Sequence, residues 1–473
     1  MTLVERISAI NSAINSVVWG VPMLLLIVGC GLYLTIRMNF FQFTKFGHAM
    51  KNTIGKCFGK NAQKEAAAGS VTPLQAVTTA LAATVGTGNV VGVTGAIALG
   101  GPGAVFWMWV SALVGMITKF SEVTLSIRFR ERNAKGDWVG GPMYYIKNGM
   151  GPKWKWLGML FALLGSLAAF GIGNMTQINS IATSVTSAIN TVAPTSVDYN
   201  TYLCLGAGIV VALICAMTYL GGIKRIGSVT EKLVPVMAVI YIISSLVVIV
   251  THFGSIGHVL EMIVVGAFKP DAVVGGAVGI TMSQAMTRGV SRGVFSNEAG
   301  LGSAPIAHAA ADTKGPVQQG LFGIFEVFMD TIVICTMTAM VVLMSGTEIP
   351  YGTDKGVLLT NAAFSEVFGP GASVVVAVGL VLFAGSTILS WGLYGTRCAE
   401  FLLGSRVIKP YQVLFCVLVV VGSVMELDLA WSIADTLNAL MAIPNLIAVL
   451  ALSPVVIKLL KEYRAGLTLE KTK

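Results

Sequence analysis

The stretch ATVGTGNVVGVTG, residues 83–95, puts four glycines, three threonines and an asparagine in the middle of a membrane-length apolar run. Glycine weakens a helix by roughly 1 kcal/mol against alanine, and hydroxyls and amides away from water must find partners. A helix broken here exposes amides at the start of one half and carbonyls at the end of the other. Amides and the helix dipole attract a carboxylate; carbonyls attract a cation such as Na⁺. Gly86 and Gly88 permit unusual dihedrals and close approach of a ligand to the backbone. Asn89 can cap the restarting helix or coordinate directly. The alternative is tight helix packing through small residues, for which Gly88 and Gly92 have the right spacing.

Other polar groups lie in apolar surroundings. Asn174 and Gln177 in AAFGIGNMTQINS share a helix face, suited to a ligand or to interhelical hydrogen bonds. AGSTILSWGLYGT carries Ser386, Thr387, Ser390 and Trp391; its hydroxyls can complete oxygen ligation of a small cation or bond their own helix backbone. In AVVGGAVGITMSQAMTRGVSRGVFSNEAG, Gly275, Gly276 and Gly279 precede Thr281, Ser283 and Gln284, a soft helix followed by groups able to bind. Asn297 and Glu298 follow Arg288 and Arg292, which places them toward the inner surface as an internal gate or as a capped loop. Lys119, Glu122, Glu326 and Asp330 fall inside spans, where charges are paired or functional. A Lys119–Glu326 or Lys119–Asp330 ion pair competes there with a proton relay. The seven cysteines and four histidines are scattered, without disulfide or zinc spacing. Nucleotide loops and nucleophile constellations are missing too, so covalent catalysis is not expected.

These groups need a scaffold, and the composition names its class. The chain has 473 residues, is 55% hydrophobic and only 11% charged, roughly half the charged share of a soluble domain. The expected fold is an all-α polytopic membrane protein. Windows of roughly 20 apolar residues give eleven transmembrane helices, starting near Ser16, Pro73, Pro102, Leu157, Tyr202, Leu233, Ala272, Val317, Ser373, Pro410 and Leu427, the last with a break at Pro444. Of the 31 basic residues, 27 fall on one side of this arrangement, which puts the N-terminus outside and the C-terminus in the cytoplasm. Basic loops against an anionic leaflet account for the net charge of +9 without a nucleic-acid partner. The N-terminal stretch lacks the early basic cluster of a cleaved signal peptide.

The first span is an accessory, and the other ten divide into five plus five of opposite topology, the pattern of inverted-repeat transporters. One membrane unit is therefore expected: an accessory helix and loop over 1–72, a first repeat over 73–252, and a second repeat with the tail over 253–473. In such repeats the first helix of each half is broken, at GTGN in one and in the glycine-rich seventh span in the other.

With those residues assembled, the chain resembles the alanine or glycine:cation symporter family along nearly its whole length. GGPGAVFWMWVSALVGM (100–116) is the most specific stretch; GTGN, GGPMYYI, GIGNMTQ and RGVFSNEAGLGSAP follow the same family order. The resemblance implies a LeuT-type fold and uptake of small neutral amino acids coupled to Na⁺, in a multi-pass inner membrane protein without a cofactor. It implies that Thr87, Gly88 and Asn89 bind the amino acid, that Gln177 contacts it, and that Trp391 closes the pocket with Phe170. Gly276 and Thr281 join them from the glycine-rich seventh span. By analogy with the fold, sodium takes the carbonyls of Ala82 and Val85 and the hydroxyls of Thr387 and Ser390.

Such a pocket has no charged side chain, so it suits a zwitterion and penalises an unpaired charge. Each added methylene contributes only about 0.8 kcal/mol, less than a clash with Trp391 removes. Alanine and glycine are the expected substrates, over leucine or phenylalanine. Proton-coupled uptake through Glu326 or Asp330 is the main rival, and a channel or transporter-like sensor the more distant one.

Overall fold

Away from water every backbone amide must be paired within the chain, and apolar runs of this length meet that demand as helices. The computed structural model describes residues 3–53, 55, 69–194, 198–275, 279–353, 356–425 and 428–471, and these are mostly helical. A short antiparallel pair, Glu131–Arg132 with Trp138–Val139, is the one sheet among them. Among the described residues, nine helical stretches are long and apolar enough to cross a membrane, ten if one bent pair is counted as a span.

Helix α1 (Leu3–Val18) leads into α2 (Val21–Arg37). Next comes the bent pair: α3 (Pro73–Thr84) and α4 (Val93–Gly100), with a wide π-helical turn, Gly88–Gly92, before α4. Thr72 starts α3 with a reciprocal capping box to Gln75. Helix α5 (Gly103–Arg128) is followed by α6 (Lys155–Phe170) and α7 (Thr176–Val192), joined through π-helical Gly171–Met175. Then come α8 (Asn200–Tyr219), α9 (Gly222–Thr251) and the shorter α10 (Ile256–Phe268).

The expected seventh span departs from a continuous crossing. It consists of α11 (Met282–Asn297) and α12 (Ala304–His308), separated by a non-helical stretch, Glu298–Ser303. Neither piece is long enough to cross alone. Helix α13 (Pro316–Val327) runs through π-helical Phe328–Cys335 into α14 (Thr336–Met344). The remaining helices are α15 (Gly356–Phe368), α16 (Ala372–Leu403), α17 (Ile408–Val424), α18 (Asp428–Ala451) and α19 (Ser453–Lys471). Contrary to expectation, α18 continues through Pro444; a membrane helix tolerates proline where neighbours satisfy the freed carbonyl. Leu427, the expected start of that span, lies outside the described residues.

Two packed groups result. Helix α5 packs against α11, α13 and α2, while α4 packs on α11. Helix α16 packs against α6 and α7, and α8 against α17. The bent pair bridges them, because α4 packs on α5 and α11 while α3 packs on α16.

Candidate functional site

The first break has the form its composition demands. Val85 ends α3 in an extended conformation, and the pair bends by 46°. The Gly86 amide donates to Asn89 Oδ1 at 2.9 Å, and the Thr87 amide to Gln177 Oε1 at 3.4 Å. Gln177 is held in turn by its Nε2, which donates to the Ile172 carbonyl at 2.9 Å. The Thr87 hydroxyl is buried without a hydrogen-bond partner. Glycine at 86 is a steric requirement: a Cβ there would lie 2.5 Å from Thr387 Oγ1.

The second break lies elsewhere than expected. Thr281 is exposed and caps α11, its hydroxyl accepting from the Gln284 amide while Gln284 Oε1 accepts from the Thr281 amide. The polar cluster after the glycines is thus a helix start, away from the first break's partners, and Gly276 lies outside the described residues. The interruption falls at Glu298–Ser303, where Glu298, Gly300 and Gly302 have φ of +56°, +98° and +78°. Such a φ is uncommon for glutamate. Both its carboxylate oxygens are tied down: Ser303 Oγ donates to Oε2 at 2.5 Å and Trp391 Nε1 to Oε1 at 2.9 Å. Glu298 therefore sits beside Trp391 in the interior, not at an inner-surface gate.

The two breaks meet. A Cβ on Gly88 would lie 3.2 Å from Ser296 Cα, the penultimate residue of α11. Asp330 Oδ1 accepts from both sides, from Asn89 Nδ2 at 2.6 Å and Ser296 Oγ at 3.0 Å. The backbone of the second break is held by buried polar groups of α5 and α18. Lys119 Nζ donates to the Asn297 carbonyl at 3.0 Å, the Gly300 amide to Glu122 Oε1 at 3.1 Å, and Asn445 Nδ2 to the Gly300 carbonyl at 2.8 Å. Lys119 and Glu326 are both fully buried, with Nζ 3.9 Å from Oε2, and the other Glu326 oxygen meets His308 Nε2.

The carbonyl of Ala82, one turn before the break, accepts from Thr387 Oγ1 at 2.9 Å and Ser386 Oγ at 3.3 Å. Ser386, not Ser390, thus shares the Ala82 carbonyl with Thr387. Ser390 lies one turn further along α16, its hydroxyl buried and unpartnered. Trp391 is buried against the π-turn after α6, where a Cβ on Gly173 would come 2.1 Å from Trp391 Cβ. The Phe170 ring is packed on Tyr411 and Phe415, at centroid distances of 4.7 and 6.1 Å. Asn174 Nδ2 donates to the Phe415 carbonyl at 2.7 Å, a structural interhelical bond.

Thr87, Gly88, Asn89, Gln177, Ala82 and Thr387 are therefore gathered around the first interrupted helix, with Val85 at its turn, while Trp391 is tied to the second through Glu298. Glu298, Ser296 and Asp330 complete the surround and were not foreseen as central; the two buried carboxylates, on Trp391 and Asn89, correct the expectation of a pocket without charged side chains. The spacing of Gly300 and Gly302 after SNE was the available signal. Chemically, the arrangement offers backbone amides held by exchangeable side chains at an interrupted helix, an unpartnered Thr87 hydroxyl, hydroxyls beside a carbonyl, and an aromatic wall, which suits reversible binding of a small zwitterion and a hard cation.

The sequence profile of the sodium:alanine symporter family matches residues 4–473. The sodium/alanine symporter AgcS of Methanococcus maripaludis is 44% identical over 463 residues, covering 97% of both chains. The probable sodium/glutamine symporter GlnT of Bacillus subtilis is 36% identical over 450 residues, covering 95% of this chain and 89% of that one. Among solved structures, MhsT in complex with L-phenylalanine aligns with a TM-score of 0.56 at 13% identity, over 84% of this chain and 99% of that one. That likeness shows a shared LeuT-type fold.

Proposed function

The chain belongs to the sodium:alanine symporter family, whose members are sodium-coupled amino-acid symporters of the membrane, and from that premise we propose that its cargo is alanine and glycine. The single observation behind the reading is the unwound turn Val85–Thr87. Gln177 Oε1 approaches one of its amides, and the hydroxyls of Ser386 and Thr387 gather on the carbonyl of Ala82 just before it. The substrate's polar ends are bound at Thr87, Gly88 and Asn89 under Gln177. Its side chain faces Trp391, whose bulk favours methyl or hydrogen over the longer side chain that a glutamine carrier accepts. Sodium takes the carbonyls of Ala82 and Val85 with the hydroxyls of Thr387 and Ser386, an all-oxygen set suited to a hard cation. We further propose that α11 and α12 together form one crossing, the seventh of eleven, that the ten spans after the accessory helix are two inverted five-helix repeats, and that the protein lies in the inner membrane with its C-terminus cytoplasmic.

The test is labelled alanine uptake into proteoliposomes under an imposed Na⁺ gradient, an H⁺ gradient, or neither. Accumulation with Na⁺ alone, inhibited by glycine but not leucine, supports the proposal. Accumulation with H⁺ alone would move coupling to Asp330 or Glu326, and leucine uptake at an equal rate would remove Trp391 as the size limit.

A further inference from the structure

A cavity of about 700 Å³ opens between α8 and α17, within the size range of small-molecule sites. Its walls are aliphatic for most of their length: Leu213 and Ala216 of α8 face Val413 and Val417 of α17, with Leu393 of α16 as the floor. Leu213, Val413 and Val417 are 59%, 64% and 51% exposed, so the groove opens sideways, where a spanning helix meets the acyl chains of the bilayer.

One end is different. Lys135, Asp137, Arg397 and Lys409 line it. Arg397 is committed to Asp137 at 3.1 Å and to Glu400 at 2.7 Å. Lys135 and Lys409 are exposed, and neither is in an ion pair among the described residues. Lys224 and Arg225 follow directly on Gly222 and Ile223, which line the same region. All these basic groups lie on the side that we take as cytoplasmic. An apolar slot open to lipid and a positive mouth at the leaflet surface match an amphiphile whose head is anionic. A free amino acid would gain nothing from the aliphatic length, and a choline head would bring a cation to two lysines.

We propose that this groove is a binding site for one anionic phospholipid, with an acyl chain along α8 and α17 and the phosphate at Lys135 and Lys409. The site backs on α16, the helix that carries Thr387 and Trp391 at the interrupted helices. The lipid would therefore brace the element on which the transport site is built. The inference does not depend on which amino acid or ion is carried.

Native mass spectrometry of the full chain in detergent tests it, with phosphatidylglycerol, phosphatidylcholine of the same acyl chains, and glycerol phosphate as probes. One phosphatidylglycerol should be retained in preference to phosphatidylcholine, and glycerol phosphate at equal concentration should not displace it. Lys135→Gln with Lys409→Gln should weaken retention by roughly 30-fold, two surface cations' worth. Both side chains are exposed, so folding is not at stake. Ala216→Phe, which fills the slot, should lower binding while leaving the lysines in place. Equal retention of the two lipids, unchanged binding in both variants, or displacement by glycerol phosphate would overturn the proposal. A dimer that Ala216→Phe abolishes, without any lipid bound, would assign the groove to a second copy instead.

Discussion

The indole Nε1 of Trp391, on α16, donates at 2.9 Å to the carboxylate of Glu298, which stands in a left-handed conformation at the interruption after α11. A residue that walls the proposed pocket is thereby fixed to the break of a different helix. Trp391→Phe keeps most of the ring but removes the donor. A hydrogen bond to a charged group contributes about 1.5–3 kcal/mol, so uptake efficiency should fall by roughly 10- to 100-fold. Trp391→Ala should in addition let leucine compete with labelled alanine. Competition that stays unchanged would show that the indole is not the limiting wall.

Thr387 and Ser386 both donate to Ala82, whereas the Ser390 hydroxyl has no partner. Removing either of the first two should raise the Na⁺ concentration needed for half-maximal uptake by roughly 10-fold or more, one oxygen ligand's worth by the scale of a charge-assisted bond. Thr387→Val and Ser386→Ala are the variants, and uptake measured against Na⁺ concentration is the readout. Ser390→Ala should change that concentration least. The reverse order would restore Ser390 as a ligand and displace Ser386.

The first break was legible because glycine and hydroxyls inside an apolar run conflict with helix, and the structure resolves the conflict by unwinding at Val85. The second was misplaced for an equally physical reason. Gly275 and Gly279 supply positive φ in a connection, and Thr281 with Gln284 forms a capping box; from composition alone, a helix start and a helix break look alike. Glu298 followed two arginines and so read as a surface residue. Its burial depends on Ser303 and Trp391, and the latter is 93 residues away. Ser386 and Ser390 are one turn apart on α16, and only the packing against α3 decides which faces Ala82. His308 looked isolated in the sequence and meets Glu326 and Gln319 of α13 only in the folded chain.

Gly173 marks a place where no side chain fits, since a Cβ would lie 2.1 Å from Trp391 Cβ. Gly173→Ala should lower stability by about 1–3 kcal/mol, the usual effect of overpacking, read as a drop in the detergent melting temperature. Gly136, whose Cβ would meet nothing within 4 Å, tests a different term. Its φ of +83° strains any other residue, so Gly136→Ala should cost about 1 kcal/mol. A Gly173→Ala protein as stable as the parent would mean that Trp391 is not held against the π-turn.

Asp330 Oδ1 accepts from Asn89 and Ser296, one donor from each interrupted helix. Asp330→Asn retains an oxygen for both donors, so the protein should fold, while losing the charge that holds them. If sodium alone drives transport, the variant's uptake should remain Na⁺-dependent at a rate lowered by roughly 10-fold, on the scale of a charged hydrogen bond. An H⁺ gradient should drive neither protein. H⁺-driven uptake in the parent that disappears in Asp330→Asn would identify Asp330 as the proton carrier and replace the sodium reading.

Lys119 is fully buried, 3.9 Å from Glu326 and bonded to the carbonyl of Asn297 at the second break. Glu326 has His308 as a second neighbour, so the lysine's loss leaves the carboxylate one partner, and of the two holds from α5 on the break's backbone only that of Glu122 on the Gly300 amide remains. Breaking a buried pair from one side costs about 3–5 kcal/mol, and Lys119→Met should lower the melting temperature accordingly. Neutralising both partners, Lys119→Met with Glu326→Gln, removes the stranded charge and should recover part of that loss. Lys119→Glu with Glu326→Lys should be more stable than either single change. If the exchange is no better than the singles, the 3.9 Å approach is only proximity, and the lysine acts through Asn297 alone.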